Sequence, residues 1–188
     1  MMTIYLLLLA GLTGVYHLYF ERPLAQLYYL ETPGLVNLTV ELELLIGATL
    51  GLGVVWLSRV LSRHFTWAKR IDEDFGALFA QHSSLQLTGL AAMSALSEEV
   101  LFRGVLLDEL GLIYSALLFG GLHIPVERHH WPWSVAALIM GFAFGGVTLL
   151  TGSVTVALIA HFTINHFNLH ALKALNFNGG QREWPPRN

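Results

Sequence analysis

The sequence predicts an all-α fold: a polytopic membrane bundle of about six transmembrane helices, with an amphipathic helix at the bilayer interface. Three observations predict it. Hydrophobic residues make up 54% of the 188-residue chain and charged residues only 12%, about half the charged share of a soluble domain. Mean hydropathy is +0.57. The apolar residues also fall into stretches close to the roughly 20 residues that a helix needs to cross a bilayer.

In chain order, the first stretch, 3–20, contains no Lys or Arg and no evident small-residue cleavage site, so it reads as a retained helix rather than a removed signal peptide. Stretches 43–61 and 84–107 follow. Between them, 62–83 sets Trp67, Phe75, Leu78 and Phe79 among charges, which suits a helix lying on the membrane surface. The fourth stretch, 112–124, is short and stops at Pro125, where a helix is kinked or broken. Stretches 134–150 and 153–172 complete the set. Small residues four apart, Gly47/Gly51 and Gly141/Gly145, allow helices to approach closely. The length fits one domain, 1–175, and the polar tail 176–188 is expected to be disordered.

Basic residues orient the bundle. With six spans, Arg59, Arg63, Lys69, Arg70, Arg128, Lys173, Arg182 and Arg187 share one side, and Arg22 stands alone on the other. Positive charge collects in cytoplasmic loops, so both termini are expected in the cytoplasm. The net charge of −3 argues against a nucleic-acid partner. With no cysteine, disulfides, thiolate metal sites and a cysteine nucleophile are excluded.

The third stretch carries Glu98, Glu99 and Arg103, and a charged side chain at the bilayer centre costs about 2.5–3.5 kcal/mol. Such a burden implies partners or a task. Glu99 and Arg103 stand at i, i+4, the favoured order for an ion pair. Adjacent helical residues diverge by about 100°, which frees Glu98 to face a cavity. Counted at 1.5 Å per residue, Glu98, His123 and His161 all lie roughly 12–17 Å from one bilayer face, so they can meet. His161 and Asn165 are one helical turn apart. Together these groups suit peptide hydrolysis: Glu98, helped by His123, deprotonates water, and His161 and Asn165 donate to the oxyanion. No serine sits in a nucleophile elbow. A zinc ion on Glu98, His123 and His161 is the alternative, although the helical His-Glu-x-x-His signature is absent; catalysis without metal is preferred. His166 and His170 read as packing residues, and His129 and His130, beside Trp131 and Trp133, as part of an interfacial belt. The rival classes are a non-catalytic membrane scaffold or immunity protein and a proton-coupled transporter. The transporter predicts an internal repeat, and none is seen.

Three elements occur in order between about residues 90 and 168: Glu98-Glu99-Val100-Leu101-Phe102-Arg103, Phe119-Gly120-Gly121-Leu122-His123 and His161-Phe162-Thr163-Ile164-Asn165. They resemble the ordered motifs of the CAAX-processing and bacteriocin-processing (CPBP, or Abi) family. The resemblance implies an all-helical intramembrane endopeptidase of a bacterial or archaeal plasma membrane, acting on a membrane-anchored protein or peptide. It implies Glu98 as the water-activating base beside His123, His161 and Asn165 as oxyanion donors, Glu99 and Arg103 as the supporting pair, and Phe119 as the aromatic member of the second motif. The family has been described both as metalloproteases and as glutamate proteases. The charge rule puts the carboxyl end of the Glu98 helix outside, so the expected substrate is a precursor cleaved near the outer boundary of its anchor.

Overall fold

The computed structural model describes residues 11, 14, 28–30, 34–123, 127–174, 176–178 and 181–183. The stretch at 3–20 falls almost wholly outside these residues. Six helices are described: α1 (Val40–His64), α2 (Thr66–Phe79), α3 (Ser84–Leu101), α4 (Leu107–Leu122), α5 (Trp131–Thr151) and α6 (Thr155–Lys173). A π-helical turn, Phe102–Leu106, joins α3 to α4, and a 3-10 turn, Arg128–His130, leads into α5. In the tail expected to lack structure, β1 (Asn176–Asn178) pairs antiparallel with β2 (Gln181–Glu183).

Among the described residues, three helical stretches are long and apolar enough to cross a membrane: Val40–His64, Ser84–Leu122 and Arg128–Thr151. The fold is therefore all-helical and membrane-span-like apart from that hairpin, while a count of six spans is not established among the described residues.

Ser84–Leu122 does not run straight. Phe102 and Phe119 would be about 25 Å apart along one helix, yet their rings meet edge-to-face at 5.0 Å. The chain reverses at Gly111, whose φ of 77° and ψ of 172° interrupt α4 in a region that residues with a Cβ avoid. The break expected between the third and fourth stretches lies here. Ser115 Oγ then donates to the Phe102 carbonyl at 2.7 Å, helping satisfy backbone in the π-turn, where i→i−4 bonding is lost.

Helix directions follow from the contacts. A Cβ on Gly47 would lie 2.7 Å from the Val156 carbonyl oxygen, and one on Gly51 would lie 2.6 Å from Thr163 Cβ; α1 and α6 therefore run parallel in close contact. Thr88 meets His170 at 3.1 Å and Asn165 meets Ser94 at 2.9 Å, so α3 is antiparallel to α6. A Cβ on Gly141 would lie 3.0 Å from the Ala116 carbonyl oxygen and one on Gly120 would lie 2.8 Å from Leu138 Cβ, which pairs α5 antiparallel with α4. The five long helices thus alternate in direction, and α2 joins α1 to α3 at the end holding Arg59, Arg63, Lys69 and Arg70. The fold is closed at the other end by buried Glu43, whose Oε2 accepts from Ser153 Oγ at 3.1 Å between α5 and α6.

Candidate active site

Adjacent glutamates on one helix must point about 100° apart, and here the two directions meet different surroundings. Glu99 is fully buried. Its Oε1 accepts from Arg103 Nη1 at 3.1 Å and from His161 Nδ1 at 2.7 Å. Arg103 also reaches the Met140 and Gly141 carbonyls at 3.4 Å, and its guanidinium lies 4.4 Å from the centre of the Phe119 ring. A buried ion pair withstands its desolvation only with this kind of added hydrogen bonding. The Glu99–His161 contact crosses from α3 to α6 and was not foreseen from the sequence, which pairs Glu99 with Arg103 alone.

Glu98 turns instead into a cavity of about 450 Å³. Its Oε2 is buried, without a hydrogen-bond partner among the described residues, and stands 3.8 Å from His123 Nε2. His123 ends α4, where its φ/ψ of −89°/48° leave the helix. Its Nδ1 lies 2.7 Å from the Phe119 carbonyl oxygen. That oxygen can only accept, so the Nδ1 carries a proton and Nε2 is the nitrogen that faces Glu98 across the cavity. Ser134 Oγ donates to the His123 carbonyl, and Trp133 packs edge-on to the ring at 5.1 Å. Phe119 is buried between Arg103, His123 and His161.

His161 and Asn165 line the same cavity. Because His161 Nδ1 donates to Glu99, its Nε2 is the nitrogen left for a reactant. Asn165 Nδ2 donates to Ser94 Oγ at 2.9 Å and keeps a second N–H. The structure therefore brings together all seven residues singled out in the sequence: Glu98, Phe119, His123, His161 and Asn165 on the cavity, with Glu99 and Arg103 behind them. His166 and His170 lie off the cavity, against Thr88.

For the zinc alternative, Glu98 Oε2 and His123 Nε2 are close enough to share one ion, while Glu98, His123 and His161 do not form a group whose ligand atoms all lie within 4.8 Å of one another.

Sequence reasoning missed the cavity walls and their direction. Trp67, Ile71, Phe75 and Phe79, every fourth residue of α2, line it, as do Ser94 and Trp133. The i, i+4 ladder through Ile71 was the available signal: it marks one continuous apolar stripe. Along α3 the lining runs from Glu98 back through Ser94 to Leu90, and along α6 from His161 on to Leu172. The cavity thus extends toward the end bearing α2 and the basic residues. The depth of a carboxylate along a helix does not decide which way its pocket opens; the packing of α2 does.

Residues 80–167, which hold all seven site residues, match the family model for type II CAAX prenyl endopeptidases, Rce1-like. This segment resembles the Rce1-like endopeptidases. The uncharacterized protein YpbD of Bacillus subtilis (strain 168) is 32% identical over 90 residues, which cover 47% of this chain and 46% of YpbD. The chain thus matches about half the length of that curated relative. No solved structure matches it. The Rce1-like segment spans α3 to most of α6, so α1 and α2, which complete the cavity wall, lie outside it.

Proposed function

We propose that the protein is an intramembrane endopeptidase that hydrolyses a peptide bond in a membrane-anchored protein or peptide. The observation that carries the reading is the Glu98–His123 pair: two proton acceptors 3.8 Å apart in a largely apolar cavity. A water between them can donate to both, which aims its lone pair at a substrate carbonyl. Glu98 takes the proton as the water oxygen bonds to the carbonyl carbon, and His123 assists. The oxyanion formed faces Asn165 Nδ2 and His161 Nε2. With Nδ1 donating to Glu99, His161 donates there from Nε2 only when both ring nitrogens carry a proton. Glu98 then returns the proton to the departing amine, leaving a carboxylate and a new amino terminus. The resemblance of the Rce1-like segment to CAAX endopeptidases supports the reaction class.

The charge rule puts the basic end of the bundle in the cytoplasm, so the substrate enters from the cytoplasmic face. The apolar walls accept the lipid-adjacent part of its anchor.

A cleavage assay in liposomes with a lipid-anchored peptide tests this reading. It compares wild type with Glu98→Gln and His123→Ala, with and without chelator. Loss in both variants and indifference to chelator fit the glutamate mechanism. Full activity of Glu98→Gln sinks it and leaves a scaffold, and a chelator-induced loss of activity that persists in His129→Gln makes it a metalloprotease.

A further inference from the structure

Asp74, His129 and His130 contribute nothing to the cavity lining. Yet among the described residues they form the one group of three such side chains whose ligand atoms all lie within 4.8 Å of one another. His129 Nε2 is 2.6 Å and His130 Nε2 is 3.1 Å from the same oxygen, Asp74 Oδ2. Consecutive residues seldom aim both imidazoles at one point; here the 3-10 turn Arg128–His130 does so, with ring centroids 4.3 Å apart. An ion with bonds of about 2.0–2.2 Å in tetrahedral array separates its donors by roughly 3.2–3.6 Å. Side-chain shifts of less than 1 Å would therefore admit one.

The surroundings suit a site that is held yet reachable. His130 is buried and stacks on Phe75, with centroids 5.5 Å apart, which fixes its ring. Asp74 is 39% and His129 30% exposed, which leaves a path for an ion and room for water to complete its shell. Two imidazoles and a carboxylate select zinc-class transition ions over calcium or magnesium, which prefer oxygen alone.

We propose that Asp74, His129 and His130 form a divalent transition-metal site, with water as the remaining ligand, that clasps α2 to the turn leading into α5. Phe75, next to Asp74, also packs edge-on to Trp133 at 5.5 Å, and Trp133 abuts His123. The ion would therefore hold in place two walls of the cavity, at a distance from Glu98.

The test uses the full chain in detergent, stripped with chelator and titrated with cobalt(II), followed by its visible absorption and by displacement with zinc. One equivalent is expected, together with a rise in the thermal midpoint on adding zinc. Asp74→Asn, His129→Gln and His130→Gln should each weaken binding beyond the roughly 10–100-fold typical of losing an outer partner, and Glu98→Gln should bind as wild type. Should a change at buried His130 prevent folding, the single change at partly exposed His129 keeps the comparison readable. Absence of a stoichiometric ion in wild type overturns the proposal, as does binding unchanged by all three substitutions. An equivalent lost with Glu98→Gln also overturns it, by placing the ion in the cavity. None of these outcomes depends on peptidase activity.

Discussion

Glu98 Oε2 stands 3.8 Å from His123 Nε2 across the cavity, while the neighbouring Glu99 is turned away into a dry contact with His161 and Arg103. One residue step along α3, about 100°, thus separates a carboxylate that faces the cavity from one held in a buried ion pair. Their substitutions should differ in kind.

Glu98→Gln keeps the shape and removes the base. Its buried Oε2 has no hydrogen-bond partner to lose among the described residues, so the thermal midpoint should stay close to wild type. Turnover on a lipid-anchored peptide should fall by about 10²–10⁴-fold. A kcat/KM assay alongside a melting curve checks both halves.

Glu99→Gln should act through stability first. It leaves the buried Arg103 cation without a counter-charge, a change that costs about 3–5 kcal/mol. A second substitution, Arg103→Met, should recover part of the loss, because an apolar side chain in place of a stranded charge removes the desolvation penalty. Thermal midpoints of wild type, single and double variants form the test; a double variant less stable than Glu99→Gln would refute the argument.

Gly51 should not tolerate a branched side chain. A Cβ there would lie 2.6 Å from Thr163 Cβ and 2.8 Å from the Ala160 carbonyl oxygen, beside His161 on α6. Overpacking of this kind costs about 1–3 kcal/mol, and Gly51→Val should lower both stability and turnover. Gly53→Ala, where nothing lies within 4 Å of the added carbon, is the neutral control on the same helix.

Burial holds the Asp72 carboxyl above its ordinary range, opposed by the Ser62 hydrogen bond and the Arg59 charge. Because the folded-state value is raised, folding favours the protonated acid. That contribution is fully present below the ordinary value of 3.8 and is lost as pH rises through the higher one. Asp72→Asn removes this dependence, so its midpoint should gain on wild type with increasing pH. A wild type that gains on the variant instead would show the Arg59 pairing to outweigh burial.

The orientation can be read with a single label. The chain has no cysteine, so Trp67→Cys on α2 is unique. A membrane-impermeant maleimide should modify it in inverted vesicles and not in intact cells; the reverse would place the cavity on the outer face.

Much of this was legible in the sequence because it concerns relations along one helix. The i, i+4 geometry makes Glu99 and Arg103 neighbours and divides Glu98 from Glu99 whatever else surrounds them. Helix depth brought Glu98, His123 and His161 to one level, and Gly47 and Gly51 marked where α1 approaches α6. Relations between helices depend on crossing angles and on how chain reversals place the ends, and local periodicity does not carry these. Only the tertiary structure decided that Glu99 also meets His161, that α2 covers the cavity and turns it toward the basic end, and that Asp74 meets His129 and His130. Each contact joins residues more than fifty positions apart, where the separation in space is set by packing rather than by the rise of any single helix.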